Sequence, residues 1–271
     1  MQFRVKMRDT PAEAFFSSTT IVGCGGTGGF VAEGLCRILP VWEDLLLIDH
    51  DRVEPHNLRR QNFYEGDVGK FKAQILAERL ARQYARKIGY CTRPYTRHLM
   101  KGSELGGHFQ TYAAQGLVIG CVDNAAARLE IRESLRWQSW WLDAGNGRSS
   151  GQVLLGNALD AETMEKAFNL KDQTVYALPA PSLQAPGLLI PAPVRTRDCA
   201  QAIEDDQSPV INQAMATLVL EFVNKLMSHS LYWMGAYLDL DAGTLQTVPA
   251  NPETVGRIFG LKANTLSEKG Q

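Results

Sequence analysis

The segment TTIVGCGGTGG at 19–29 obliges the chain to leave a β-branched run through a string of glycines. Ser18 to Val22 reads as a short strand, and Phe30 to Leu39 has helical spacing with Pro40 as its stop. Leu45 to Ile48 is a second apolar strand that ends on Asp49. Strand, tight turn, helix, strand is the opening of a Rossmann-like doubly wound α/β fold with a mostly parallel sheet. Gly23, Gly25 and Gly28 make GxGxxG, with Asp49 at the end of the next strand. Glycines let the backbone approach a phosphate, the following helix offers unpaired amides, and the acid can accept from ribose hydroxyls. A purely structural turn also satisfies the pattern. Against a dinucleotide dehydrogenase stand Gly26 and Gly29, which open the turn further, and a polar cluster after Asp49 that hydride transfer does not require.

That cluster holds Asn57, Arg59, Arg60 and Gln61, and Lys72 stands in the first turn of an amphipathic helix read over Val68 to Lys87. Transfer of an adenylyl group needs donors around the α-phosphate and pyrophosphate, where negative charge is redistributed. Lysine supplies a mobile point charge and arginine a planar fork; a solvated charged loop is the plainer reading, above all for Arg59. After a strand near Tyr90 to Tyr95, LVIGCVDN at 117–124 is a buried strand ending in Asp123, followed by the helix AAARLEIRESL. Asp123 can bind Mg²⁺ beside phosphates, or Asp123 or Asn124 can cap the helix.

Further on, WWLDAGNGRSSGQVLLGN reads as strand, turn and strand, adding antiparallel members to the sheet. The proline-rich 177–196 reads as a crossover loop, Ser208-Pro209 as cap and first residue of the helix VINQAMATLVLEFVNKLM, and WMGAYLDLDAGTLQTVPA as a hairpin turning at DAG. ANTLSEKGQ reads as a frayed end. These segments divide a single 1–271 domain into an N-terminal arm at 1–17, a nucleotide-binding half at 18–150, a sheet extension at 151–176, a crossover loop at 177–208 and a C-terminal helix and hairpin at 209–271.

A net charge of -1 provides no global attraction to nucleic acid or an anionic membrane. Five cysteines, an odd number without close pairs, point to a reducing, cytoplasmic setting. No segment reaches the roughly 20 apolar residues that cross a bilayer. Cys24, Cys36, Cys91 and Cys121 read as small core residues. Cys199 differs, because Arg195 and Arg197 in RTRDCA can favour a thiolate.

Four blocks, VGCGGTGG at 22–29, LLLIDHDRVEPHNLRRQN at 45–62, DVGKFKA at 67–73 and VIGCVDNAAAR at 118–128, together resemble the ThiF/MoeB/ubiquitin-activating-enzyme superfamily. The resemblance implies ATP-dependent adenylation of the C-terminal carboxylate of a small ubiquitin-like protein with a glycine-ended tail. By similarity Asp49 holds the ribose, Asn57, Arg60, Gln61 and Lys72 surround the phosphates, and Asp123 coordinates Mg²⁺. A homodimer is also implied, with Arg4 or Arg8 reaching the other active site. Cys199 resembles the cysteine that takes the partner as a thioester, before a ubiquitin-conjugating-enzyme-like acceptor; an ordinary loop thiol is the alternative. DCAQAIEDDQSPVINQAMATLVLEFV and YWMGAYLDL are similar to the ThiF-family component of the PRTRC system. The paired CxxC motifs of many relatives are missing, so no structural zinc is expected. Competing readings are a tRNA-modifying adenylating relative and a non-catalytic nucleotide-binding dimeric scaffold.

Overall fold

A computed structural model describes residues 2–7, 18–99, 116–135, 139–191, 208 and 210–267. Its strands are β1 (Arg4–Val5), β2 (Thr19–Val22), β3 (Leu45–Ile48), β4 (Ile88–Cys91), β5 (Leu117–Gly120), β6 (Trp140–Asn146), β7 (Ser150–Gly156), β8 (Phe168–Asn169), β9 (Thr174–Val175), β10 (Trp233–Asp239) and β11 (Thr244–Pro249). The helices are α1 (Gly26–Ile38), α2 (Lys72–Tyr84), α3 (Ala125–Ser134), α4 (Pro181–Gln184), α5 (Ile211–Met227) and α6 (Pro252–Phe259).

The main sheet has the order β11-β10-β7-β6-β5-β2-β3-β4. From β4 across to β6 the pairing is parallel, and β7, β10 and β11 join antiparallel. This is the mostly parallel Rossmann-like sheet with antiparallel additions that the sequence led us to expect. All four residues of β2, β3 and β5 are buried, because helices cover both faces of the central strands. One apolar core joins α1, α2 and α5 to one face through Val31, Leu35, Leu76, Leu80, Met215 and Phe222. The other contains Ile131 and Leu135 at α3, with Val22, Ile48 and Trp141 from the sheet. The chain travels from β2 outward to β4, then returns to β5 on the other side of β2. The carboxyl ends of β2, β3 and β5 therefore meet at a topological switch point, where such sheets open a crevice.

Several local expectations are corrected. α1 begins at Gly26, four residues before the apolar periodicity does, since burial of its first turn outweighs the low helix propensity of glycine. α2 ends at Tyr84 because Ala85 adopts a left-handed conformation with φ 50°. β4 starts earlier than Tyr90, in register with β3 from Leu45 opposite Ile88. Within 177–191 the prolines begin short helical pieces, α4 and a 3₁₀ turn at Pro186–Leu189, instead of a plain loop. Ser208 is not the cap of α5: the helix starts at Ile211 after Val210, without a side-chain cap. Pro209 lies outside the described residues. At the other end, residues 263–267 are not frayed, because Leu266 is fully buried and Ser267 bridges Phe168.

Residues 4–5 of the N-terminal arm form the edge of a second sheet, ordered β1-β9-β8, with Phe3 packed edge-on against Phe168. No described helix is long and apolar enough to cross a membrane.

Candidate functional site

A cavity of about 830 Å³ opens at the switch point. Its size suits a nucleotide-sized ligand. Gly23, Gly25, Gly26, Asp49, Asn57, Arg60, Gln61, Lys72 and Asp123 all line it. Arg59 is exposed and does not. Gly28 is in the first turn of α1, on its buried side, and shapes the turn without lining the cavity. Arg4 is on the second sheet, where its guanidinium donates to the Asp172 carbonyl at 3.2 Å. Arg8, Arg195, Arg197 and Cys199 lie outside the described residues.

The glycine turn is tied to β3 by Asp49. The Cys24 amide donates to Asp49 Oδ2 at 2.7 Å, and the Asp51 amide donates to Oδ1 at 2.8 Å. Burial raises the pKa of this carboxyl above the ordinary value, partly offset by those amides and by the Lys72 charge. Gly23 takes φ +89°, and a side chain there would also stand 2.5 Å from the Cys121 carbonyl oxygen. α1 then starts with no side-chain cap on Gly25 and no acidic residue in its first turn. Its leading amides, at the positive end of the helix dipole, are thus left for an anion.

Opposite that helix end are the cations. A 3₁₀ turn at Pro55–Arg59 carries Asn57, whose Oδ1 accepts from the Glu54 amide at 3.0 Å, so this side chain stiffens the loop leading to Arg60. Gln61 presents Oε1, a buried oxygen with no hydrogen-bond partner. Leaving such an acceptor unpaired is costly, and a hydroxyl or amino donor from a ligand would relieve it. Lys72, only 7% exposed, starts α2 and sends Nζ to Asp51 Oδ2 at 3.1 Å.

The remaining wall is formed by the turn from β5 to α3. Asn124, not Asp123, caps α3: its Oδ1 accepts from the Ala127 amide at 2.8 Å. The exposed Asp123 carboxylate is thereby released from capping and meets the Asn124 amide only at 3.3 Å. Behind it Arg128 Nε donates to both oxygens of Asp143, at 3.1 and 3.2 Å. Burial pushes the Asp143 carboxyl up to about 6 despite the guanidinium.

Residue-type reasoning overlooked Asp51, Asn146, Arg148 and Asn212, which also line the cavity. Asp51 stood within a block already singled out, and its spacing from Lys72 was the available signal. Asn146 and Asn212 come from distant segments and carried none. Among the described residues, the one group of three acidic or histidine side chains with converging ligand atoms is Asp49, His50 and Asp51. Its carboxylates are already engaged by the turn amides and Lys72. The described cysteines are free thiols. Burial raises the pKa of Cys24, Cys36 and Cys121, which leaves them poor nucleophiles. Cys121 is not within β5 but just past it, half-buried at the cavity wall.

The sequence profile of the ThiF family matches residues 6–248. Ubiquitin-like modifier-activating enzyme 5 of Branchiostoma floridae is 32% identical over 136 residues, spanning 47% of this chain and 33% of that protein. The Dictyostelium discoideum protein of the same name is 33% identical over 147 residues, 51% of this chain and 38% of its own. The chain thus spans about a third of the length of these curated relatives. Among solved structures, E. coli MccB with ATP superposes with a TM-score of 0.55 at 16% identity, over 86% of this chain and 63% of that one. PaaA gives 0.54 at 17%, over 86% and 64%. At such identities the likeness establishes the fold.

Proposed function

Because the chain belongs to the ThiF family, we propose that it binds ATP in the switch-point cavity and adenylates the C-terminal carboxylate of a small ubiquitin-like protein. One observation carries this reading. An uncapped helix start, Arg60 and Lys72 face the same space as the Asp123 carboxylate, which is a donor set for a triphosphate beside a ligand for a hard cation. The unpaired Gln61 Oε1 supports it, since a nucleotide brings hydroxyl and amino donors.

In the reaction a carboxylate oxygen of the partner attacks the α-phosphorus. The bond from that phosphorus to the bridging oxygen breaks, and pyrophosphate leaves with the electron pair, so no proton need be removed from the nucleophile. What the protein must provide is position and charge. The amides of α1 and the Arg60 guanidinium donate to phosphate oxygens. Lys72 exchanges its Asp51 partner for phosphate. Asp49, with its two oxygens holding the turn, keeps the α1 amides aimed and can accept a ribose hydroxyl on its remaining lone pairs. Mg²⁺, when bound, lowers phosphate charge, and Asp123 is the residue that would hold it.

The glycine-ended tail and the partner itself are inferred from the enzymes named above and from the order of the four sequence blocks. Thioester formation on Cys199, hand-over to a conjugating-enzyme-like acceptor, a homodimer and a cytoplasmic setting belong to the same proposal. The PRTRC connection is its narrowest part, resting on 198–223 and 232–240 alone. The test is mass spectrometry of small glycine-ended proteins after incubation with the chain, ATP and Mg²⁺. A partner carrying AMP on its terminal glycine is the expected product; ATP cleaved with every partner unmodified would dismiss this substrate class.

A further inference from the structure

Resting on the reading of the cavity as an ATP site, we propose that Asn212 is a positioning residue that holds the Arg60 loop against the start of α1. Its side chain, 4% exposed in the first turn of α5, joins three segments far apart in sequence. Asn212 Nδ2 donates to the Arg60 carbonyl at 3.0 Å. Asn146 Nδ2, at the end of β6, donates to Asn212 Oδ1 at 3.1 Å. The Thr27 hydroxyl, in the first turn of α1, stands 3.5 Å from the same oxygen and 3.3 Å from Asn146 Oδ1.

The fit is close. A Cβ on Gly26 would sit 2.2 Å from Asn212 Nδ2, so the absence of a side chain there makes room for this amide as well as for a ligand. The site needs a donor and an acceptor side by side, which an amide supplies and a carboxylate of the same shape does not. Aspartate would turn an acceptor towards the Arg60 carbonyl.

Within its own turn the Arg60 amide donates to the Asn57 carbonyl at 3.2 Å, with the Gln61 amide on that carbonyl at 2.9 Å, and two residues further on Asn62 Nδ2 donates to Glu33 of α1 at 3.0 Å. The bond from Asn212 adds a tie from the Arg60 carbonyl itself to the first turn of α5. It thereby helps fix the Arg60 backbone, and with it the guanidinium, relative to the α1 amides, the guanidinium and those amides being the two donor groups assigned to one triphosphate. Displacement of a binding group by about 1 Å can cost a hundredfold in rate, so a fixed separation has functional value.

The test is a double-mutant cycle on ATP affinity in the full chain, with hydrogen exchange on the same variants. Asn212→Ala should weaken ATP binding about tenfold when Arg60 is present and less than about twofold in an Arg60→Ala background. Amide exchange at 57–62 should accelerate about tenfold, with the middle of α5 unchanged. Equal weakening in both backgrounds would overturn the proposal, since a merely structural residue lowers affinity regardless of Arg60. Unchanged exchange at 57–62 would overturn it as well. Should wild type bind no ATP, the cavity reading fails and exchange alone decides whether Asn212 holds the loop. If Asn212→Ala does not fold, Asn212→Ser, whose hydroxyl cannot span both partners, takes its place.

Discussion

Two ion pairs, one lining the cavity and one behind its α3 wall, differ in how much water reaches them. On the α2 wall Lys72 meets Asp51, whose side chain is 55% exposed. Behind the α3 wall Arg128, 8% exposed at its side chain, meets Asp143, which is fully buried. A charge at the edge of water can change partners when a phosphate arrives. A charge enclosed in protein cannot lose its partner without a large desolvation cost, so it holds α3 to β6 instead. On the proposed reading the first pair serves binding and the second holds position.

Breaking the dry pair should have the largest effect. Arg128→Ala leaves Asp143 buried and unpaired, and should destabilise the fold by about 3–5 kcal/mol in urea unfolding; a change below about 1 kcal/mol would erase the distinction between the pairs. Lys72→Met retains the stem, leaves Asp51 facing water, and removes one of the charges that offset the burial of Asp49. Its stability should change by less than about 1 kcal/mol, while calorimetric ATP affinity falls at least about tenfold.

A subtler difference lies in pH. The folded Asp143 carboxyl titrates at about 6, above the value near 3.9 of an unfolded chain. The folded state therefore takes up its proton first. The resulting contribution is fully present below the unfolded value and is lost as pH rises through about 6. Relative to Asp143→Asn, wild type should gain on the order of 1 kcal/mol between pH 7 and pH 5; a loss over that interval would reverse the sign assigned to burial. Smallest is the separation of cap from carboxylate. Asn124→Ala should cost about 1 kcal/mol of stability, whereas Asp123→Asn should leave the melting temperature unchanged and weaken magnesium-dependent ATP binding.

The same contrast explains what could be read from the sequence. β2 is β-branched and buried over its whole length and β3 and β5 carry no polar side chain, while the glycines, Asp49, Lys72 and Asp123 fall just past strand ends or at helix starts and Arg60 closes a 3₁₀ turn, where short-range spacing carries the information. The second sheet was silent, because strands as short as Arg4–Val5 and Thr174–Val175 have no period to detect. Partnerships were silent too. Asn212 reaches Arg60 across 152 positions, and nothing local distinguishes it from any asparagine in a first helical turn. Arg128 stood inside a recognised block, yet its pairing with Asp143 depends on α3 lying over β6, a tertiary fact. The start of α1 was missed for the opposite reason: glycine-poor propensity governs isolated helices, whereas packing against α5 governs this one.

The most direct measurement is ATP–pyrophosphate exchange in the presence of small glycine-ended proteins, comparing wild type, Cys199→Ala and Lys72→Met. Exchange in the first two and its loss in the third is the expected pattern, since reversible adenylation needs the cations of the cavity and no thiol. Exchange that persists in Lys72→Met, or that disappears with Cys199→Ala, would contradict the assignment of the chemistry to this cavity.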